Sequence, residues 1–203
     1  MRPAWPLSPL PLLLLSLWAG AAAAQMTISA KLLDLVDARV DYQADYRLVA
    51  GNDIYRGTVA HAPRRERWEF SNGGGPQVLL LRRDIDEASM LWPLKRFYMS
   101  ASFKALSALL GGIDSDLVQA REAGLETING EATTRYHVDH GAFIGDFWRT
   151  RDGIMVKAVG QVTYNGRPTQ GELDLTHVRR NRSDPALFSR PEGYLGIPLS
   201  LGK

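Results

Sequence analysis

Short runs of alternating apolar and polar residues recur along most of this chain, and they constrain its fold more than any other feature of the sequence. Successive side chains of a β-strand point to opposite faces, so each run predicts a strand with one face turned to the interior. We count about ten or eleven such runs, separated by Gly, Pro, Asn and Asp residues that favour turns. Because the twist of so many strands accumulates, such a sheet must curl. The sequence therefore predicts a mainly β (α+β) fold: a single large curved antiparallel sheet, or incomplete β-barrel.

The strand pair with the strongest signal surrounds Asn129-Gly130, in the segment "EAGLETINGEATTRYHV" (residues 122–138). Asn-Gly favours a tight hairpin turn because both central residues of that turn need a positive φ. Pairing Ile128 with Glu131 sets the register and divides the side chains between two faces. The apolar face carries Ala123, Leu125, Thr127, Ala132, Thr134, Tyr136 and Val138, and the polar face carries Glu122, Glu126, Thr133, Arg135 and His137. The hairpin thus predicts one solvated face and one that packs on protein or on a ligand.

Two stretches have helical spacing instead. Residues 25–39 predict an amphipathic N-terminal helix, with Thr27 or Ser29 as its cap. Residues 97–112 predict a mid-chain helix, capped by Ser100 or Ser102 and ended by a pair of glycines. Its apolar side carries Phe103, Leu106, Leu109 and Leu110. We expect this second helix to close the curved sheet as a lid.

The first 24 residues have the composition of an export signal. Arg2 is followed by the apolar core "LPLLLLSLWAG" and by the small-residue site "AAAAQ", which predicts cleavage after Ala24. The apolar run is interrupted by Pro11 and is short for a membrane helix, which needs ~20 apolar residues. An uncleaved anchor is the alternative. We expect a signal peptide over residues 1–24 and a single domain over residues 25–203.

Cysteine and charge narrow the class of protein. The chain has no cysteine, so an exported product would have neither disulfides nor a lipidated cysteine after its signal, and we expect it to be soluble. Its formal net charge of +2 is too small to favour nucleic acid. The arginines are clustered, however, in "RRER" (64–67), "RR" (82–83) and "RRNR" (179–182). These clusters are either solvated strand ends or an anionic site.

No set of residues with catalytic spacing emerges. There is no Gly-x-Ser-x-Gly motif, and the lack of cysteine excludes thiol mechanisms. The closest histidines, His137 and His140, point to opposite faces of a strand, which disfavours a shared metal. Asp84 and Asp86 lie either on one strand face, as an acid–base pair, or on a solvated face near a turn. We expect no enzyme activity, no metal and no cofactor.

Three segments carry a family resemblance: "GLETINGEATTRYHV", "FWRTRDGIMVKAVG" and the closing "DPALFSRPEGY". Together with the export signal and the mid-chain helix, they make the chain similar to the periplasmic lipoprotein-carrier superfamily, the LolA/LolB-like proteins, and especially to its uncharacterised exported members. The resemblance implies a periplasmic, incomplete β-barrel closed by helices, with an apolar cavity that accepts acyl chains.

The resemblance also implies candidate site residues. In the carriers an arginine just before a proline helps to latch the lid. Here "AHAPRRER" has Ala62 before Pro63, so Arg64 and Arg65 are only the nearest candidates for a latch. The predicted cavity wall consists of Tyr42, Tyr46, Leu48, Trp68, Phe70, Leu79, Leu81, Trp92, Val156 and Val162, and the predicted lid contributes Phe103, Leu106 and Leu110.

The leading hypothesis is a periplasmic carrier or sensor that binds an acyl chain or the lipid moiety of a lipoprotein. Its partners would be a lipid or acylated protein, an envelope protein and the membrane surface, with the chain itself a monomer. The alternative is an accessory protein whose interior is filled and whose basic edge docks a partner. Under that alternative the predicted wall residues are simply a packed core.

Overall fold

Thirteen β-strands form one open sheet in the computed structural model, which describes residues 26–109, 117–140, 143–164 and 167–198. The strands are β1 (Thr27–Lys31), β2 (Tyr42–Ala50), β3 (Asp53–Ala62), β4 (Arg65–Asn72), β5 (Gly75–Arg82), β6 (Glu87–Trp92), β7 (Phe97–Ser102), β8 (Leu117–Ile128), β9 (Glu131–His140), β10 (Phe143–Thr150), β11 (Met155–Tyr164), β12 (Arg167–Arg179) and β13 (Leu195–Pro198). Two α-helices, α1 (Leu32–Val36) and α2 (Phe103–Leu109), and two 3₁₀ helices, Pro93–Lys95 and Pro185–Phe188, complete the described secondary structure. No helix in these ranges is long and apolar enough to cross a membrane.

The sheet consists of two antiparallel meanders joined through their central strands. Its order is β1-β8-β9-β10-β11-β12-β2-β3-β4-β5-β6-β7-β13. The late strand β12 pairs with the early strand β2, which places Leu175 opposite Tyr46. Only β13 runs parallel to its neighbour, β7. The predicted mainly β fold with one large antiparallel sheet is confirmed. Its strand count is higher than expected because β1, β7 and β13 were not foreseen; β7 falls in the stretch predicted as the mid-chain helix.

The N-terminal helix is much shorter than residues 25–39. Thr27–Lys31 extends along β8 as an edge strand, with Ile28 opposite Ala120, and the helix begins only at Leu32. No side chain caps α1, so the expected cap by Thr27 or Ser29 is wrong. The free edge of β8 supplied hydrogen-bond partners that outweighed the helical spacing of these residues.

The predicted mid-chain helix is present but begins only at Phe103, because Phe97–Ser102 pairs with β6 as strand β7. The hydroxyl of Ser102 accepts a hydrogen bond from the backbone N–H of Ala105 at 3.2 Å, and a carboxylate oxygen of Asp86 accepts one from Lys104 at 3.0 Å. Phe103 is buried, and α2 packs on β6 and β7. Ser102 is therefore its cap, whereas Leu110 lies outside the described residues.

The hairpin at Asn129-Gly130 has the predicted turn, with Ile128 opposite Glu131. A bulge at Ala123 shifts the earlier part of β8, so that Glu122 stands opposite Tyr136 and shares its face instead of the polar one. Tyr136 is buried, but Leu125 is 78% exposed. Protein therefore covers only part of the apolar face of this hairpin.

The segment that contains the 3₁₀ helix Pro185–Phe188 packs on the sheet. Phe188 is 1% exposed and packs on Ala60 and Ala62 of β3. The carbonyl of Phe188 accepts a hydrogen bond from Arg82 at 3.1 Å, and Leu187 accepts one from Arg67 at 3.2 Å. A buried aromatic and two arginines therefore fasten this segment to the sheet.

Candidate functional site

A row of small residues crosses four neighbouring strands on one face of the sheet. Gly145 of β10 stands opposite Gly160 of β11, Gly160 opposite Gly171 of β12, and Gly171 opposite Ala50 of β2. A Cβ added to Gly160 would lie 2.5 Å from the carbonyl oxygen of Ile144, so no larger residue fits without moving the backbone. We call Gly145, Gly160, Gly171 and Ala50 the glycine row. The ring of Phe143 lies against its first two members, 3.1 and 2.8 Å from where their Cβ atoms would be, and the row leaves a trough beyond that ring, along Gly160, Gly171 and Ala50.

Helix α1 lies over this trough and encloses a cavity of about 360 Å³. We call it the α1 cavity. Its walls are almost wholly apolar: Leu32, Leu33 and Val36 from α1, Leu48, Val49 and Ala50 from β2, Phe143 and Phe147 from β10, Met155, Ala158, Gly160 and Val162 from β11, and Thr169, Gln170, Gly171, Glu172 and Leu173 from β12. Its volume lies within the range of ligand pockets, roughly 300–1,000 Å³. Such a space suits an apolar ligand of modest size.

The predicted wall residues divide between this cavity and the packed core. Leu48 and Val162 line the α1 cavity. Tyr42, Tyr46 and Val156 are buried in a core cluster. The remaining predicted wall residues are partly buried and lie on β4 to β6. Trp68 and Phe70 pack on that cluster. Leu79 pairs with Trp68 and Leu81 with Glu66, and the ring of Trp92 contacts that of Phe97. The predicted wall residues thus lie partly along the α1 cavity and partly in a filled core, a difference that alternation along a strand does not reveal.

The helix over the cavity is α1 rather than α2. Phe103 is buried and Leu106 is half-buried, and none of the described residues of α2 lines the α1 cavity. Because α2 follows β7 directly, it stays at the β6–β7 side of the sheet. Of the α1 residues that do line the cavity, Leu32 and Val36 were predicted only as part of the apolar stripe of a longer helix, and Leu33 was not predicted to lie on that stripe.

A cluster of polar residues fastens the C-terminal end of α1 to the sheet. One carboxylate oxygen of Asp37 accepts hydrogen bonds from His61 Nε2 at 3.0 Å and from the backbone N–H of Arg64 at 3.1 Å. Arg83 lies 2.7 Å from the same oxygen, and its side chain is 7% exposed. Burial alone would raise the pKa of Asp37, but the bonds from His61 and Arg64 and the charge of Arg83 outweigh it and hold that pKa below its usual value. We call Asp37, His61, Arg64 and Arg83 the α1 clasp.

One of the two predicted latch residues, Arg64, belongs to the α1 clasp, and the other, Arg65, does not. Arg64 contributes its backbone N–H, while its guanidinium donates to the carbonyl of Arg83 at 3.0 Å. Arg65 lies over the ring of Phe188 at 5.1 Å. The guanidinium that reaches the end of α1 belongs to Arg83, which the sequence offered only as part of a basic cluster. A latch by Arg64 or Arg65 on the mid-chain helix stays a prediction.

The acidic pair and His137 have structural partners. Residues 83–86 form a turn, in which Arg82 donates two hydrogen bonds of 2.8 Å to Asp84, and Asp86 caps α2. These bonds from Arg82 lower the pKa of Asp84. His137 lies 2.7 Å from Asp146. The described ranges contain no group of three or more potential metal ligands.

The comparisons with known proteins concern the fold. No protein-family model matches the chain, and no curated protein matches it. An uncharacterized conserved protein from Thermus thermophilus matches with a TM-score of 0.57 and 15% identity, over 83% of this chain and 97% of that one. MucB matches with a TM-score of 0.51 and 13% identity, over 81% of this chain and 63% of that one. At such identities these matches show a shared fold.

The solved structures that match also include a putative outer membrane lipoprotein-sorting protein domain from Vibrio parahaemolyticus. Its identity is 10% and its TM-score 0.36, over 76% of this chain and 92% of that domain.

Proposed function

We propose that this protein is a carrier or sensor that binds an acyl chain, alone or as the lipid moiety of a lipoprotein, in the α1 cavity. The observation that carries the proposal is an almost wholly apolar space above the glycine row. Burying a methylene group in such a space stabilises the complex by ~0.8 kcal/mol. Gly171 adds no side chain that would compete for the trough, so a linear chain can lie beside the Phe143 ring and across β12 and β2.

Helix α1 is well suited to open and close this cavity. It comprises Leu32–Val36, which is too short to be stable without tertiary contacts. Edge strand β1 anchors one end and the α1 clasp the other. Opening therefore requires loss of the contacts of Asp37 with the sheet while the sheet itself stays intact.

One observation favours a second candidate function. Tyr42, Tyr46 and Val156, which were expected to line a cavity, are buried in a filled core. An accessory protein that docks an envelope partner through its basic edge would need no cavity at all. Fatty-acid binding separates the two candidates, since only the carrier requires it.

The proposal includes export. Residues 1–24 would be a cleaved signal, and residues 25–203 one soluble, monomeric periplasmic domain that meets lipid or acylated protein at the membrane surface. N-terminal sequencing of periplasmic protein should begin at Gln25. An intact Met1 on membrane-bound protein would contradict it.

A fluorescent fatty acid tests the proposed ligand directly. Titration into the wild type should show saturable binding, and Ala158→Phe should abolish it by filling the cavity from its floor. Val159→Phe is the matched control, because Val159 neighbours Ala158 on β11, is 38% exposed and does not line the cavity. Val162→Phe serves as a second cavity-filling variant. Absence of binding by the wild type, or equal binding by all variants, would refute the carrier.

A further inference from the structure

A second cavity, of about 680 Å³, opens on the same face of the sheet beyond the glycine row. It is separated from the α1 cavity by two stacked rings, Tyr136 and Phe147, whose centroids are 5.3 Å apart. Phe147 lines the α1 cavity and Tyr136 lines the second one. Three guanidinium side chains also line the second cavity, from Arg39, Arg149 and Arg151, so we call it the arginine cavity.

Within the described ranges, the charges of Arg39 and Arg149 have no carboxylate partner. No ion pair there includes either residue at 4.0 Å or less. The Nε of Arg149 is buried and makes no hydrogen bond with any described residue. The side chain of Arg39 donates only to the carbonyl of Arg151, at 3.5 Å, in that part of the chain. Burial, together with the like charge of Arg39, lowers the pKa of Arg149. An arginine placed in this way is costly unless an anion joins it.

The carboxylates nearest to this cavity already bind other groups. Both oxygens of Glu131 accept hydrogen bonds from Arg180, at 2.9 and 2.7 Å. Asp152 accepts one from Arg180 at 2.6 Å. Glu126, which lines the cavity, accepts one from the indole N–H of Trp148 at 2.9 Å. The charge of Asp152 also acts on Arg149 and opposes the lowering of its pKa, but three arginines and one acid, Glu126, line the cavity, so positive charge remains in excess.

We propose that the arginine cavity binds a phosphate group. Guanidinium groups match phosphate oxygens in a fork-like geometry, and two unpaired cations suit an anion that carries up to two charges. Apolar residues complete the wall, including Ile28 and the exposed Leu125. The phosphate could thus belong to a free phosphate compound or to a lipid headgroup. This site does not depend on acyl binding in the α1 cavity.

The test measures binding of two probes to the whole mature chain. Inorganic phosphate is titrated calorimetrically, and flotation is measured with phosphatidylcholine vesicles that contain or lack phosphatidylglycerol. Arg149→Met removes the charge but keeps the apolar stem, and the exposed Arg39→Gln provides a second variant that should leave folding intact. Arg182→Gln, at an exposed arginine outside the cavity, is the matched control.

The wild type should bind at least one probe, and each cavity variant should weaken that binding by about tenfold or more, because a charge-assisted hydrogen bond is lost. Arg182→Gln should bind like the wild type. Binding of inorganic phosphate without vesicle flotation identifies a soluble ligand, and flotation that requires phosphatidylglycerol identifies a headgroup; both support the site. Failure of the wild type to bind either probe, or equal affinity in the wild type and both cavity variants, would overturn it.

Discussion

Two rows of paired residues, in neighbouring parts of the same sheet, differ in how far they fill its interior. In the glycine row, Gly145, Gly160, Gly171 and Ala50 stand opposite one another and leave the α1 cavity. In a second row, which we call the large row, Val59, Trp68, Leu79 and Met90 stand opposite one another across β3 to β6.

In the large row, bulky side chains occupy the interior side of the sheet, which the glycine row leaves partly open. Trp68 packs edge-on against Tyr46, with ring centroids 4.9 Å apart. Both rows belong to antiparallel strands of similar length, so secondary structure alone does not distinguish them. The difference teaches that side-chain volume at cross-strand partners decides where such a sheet is open.

The largest effect should come from filling the glycine row. Gly160→Val would place atoms 2.5 Å from the carbonyl of Ile144 and 2.9 Å from the Cα of Gly145, so we expect it to cost about 4 kcal/mol or more of unfolding free energy. Gly73→Val is the control, since nothing lies within 4 Å of a Cβ there. Urea unfolding of both variants measures the difference. Equal stabilities would mean that the close approach of the strands is not required.

Truncation of leucines should separate a filled region from an open one. Leu80→Ala removes a side chain that is 1% exposed and packed on Val78 and Leu91, and it should cost about 3 kcal/mol. Leu173→Ala removes part of a cavity wall that already lacks neighbours on one side, and it should cost about 1 kcal/mol. If urea unfolding gives the two variants the same loss, the α1 cavity is filled by protein.

The α1 clasp should make stability fall in acid. Because the pKa of Asp37 is lowered in the folded protein, its contribution is complete above the pKa of the unfolded chain, about 4, and is lost as the pH falls through the folded value. Asp37→Asn should cost about 2 kcal/mol at neutral pH and progressively less in acid. Unfolding free energies of both proteins across this pH range measure the convergence. A constant difference would exclude a role for the charge of Asp37.

The smallest loss of stability, about 1 kcal/mol, is expected for charge substitutions on the two helices, and their effects on fatty-acid binding should show which helix covers the ligand. Leu33→Glu places a carboxylate at the α1 cavity, where an unpaired charge is unfavourable, and should weaken fatty-acid binding. Leu106→Glu on α2 makes the same chemical change away from that cavity and should leave binding unchanged. If a fluorescent titration shows weaker binding by Leu106→Glu and unchanged binding by Leu33→Glu, the mid-chain helix is the lid.

Local signals along the sequence predicted local structure well. The turn at Asn129-Gly130, the pairing of Ile128 with Glu131 and the cap by Ser102 depend on residues close together in the chain. The predicted wall residues share a face because alternation is a property of each strand. The sequence also contained a signal for the candidate site. Glycines inside strands β10, β11 and β12 indicate close backbone approach, and a pattern of apolar residues alone does not include them.

Local sequence patterns did not predict the contacts between segments that are distant in the chain. Thr27–Lys31 became an edge strand because β8 offered it an unpaired edge, although its own spacing favoured a helix. Arg83 rather than Arg64 reaches Asp37 with its side chain, because the turn after β5 lies beside the end of α1. Phe188 is buried because its segment docks on β3, far away along the chain.

The sequence by itself determined that this protein is a large antiparallel sheet, where its tight hairpin turns, which side chains share a strand face, and where its mid-chain helix is capped. Only the tertiary structure decided that three glycines align into one row, that α1 rather than α2 covers the resulting cavity, and that Arg39 and Arg149 meet in a second one. Alternation and turns follow from the stereochemistry of neighbouring residues. The alignment of strands depends instead on pairings between distant segments, such as β12 with β2, whose register only the folded sheet establishes.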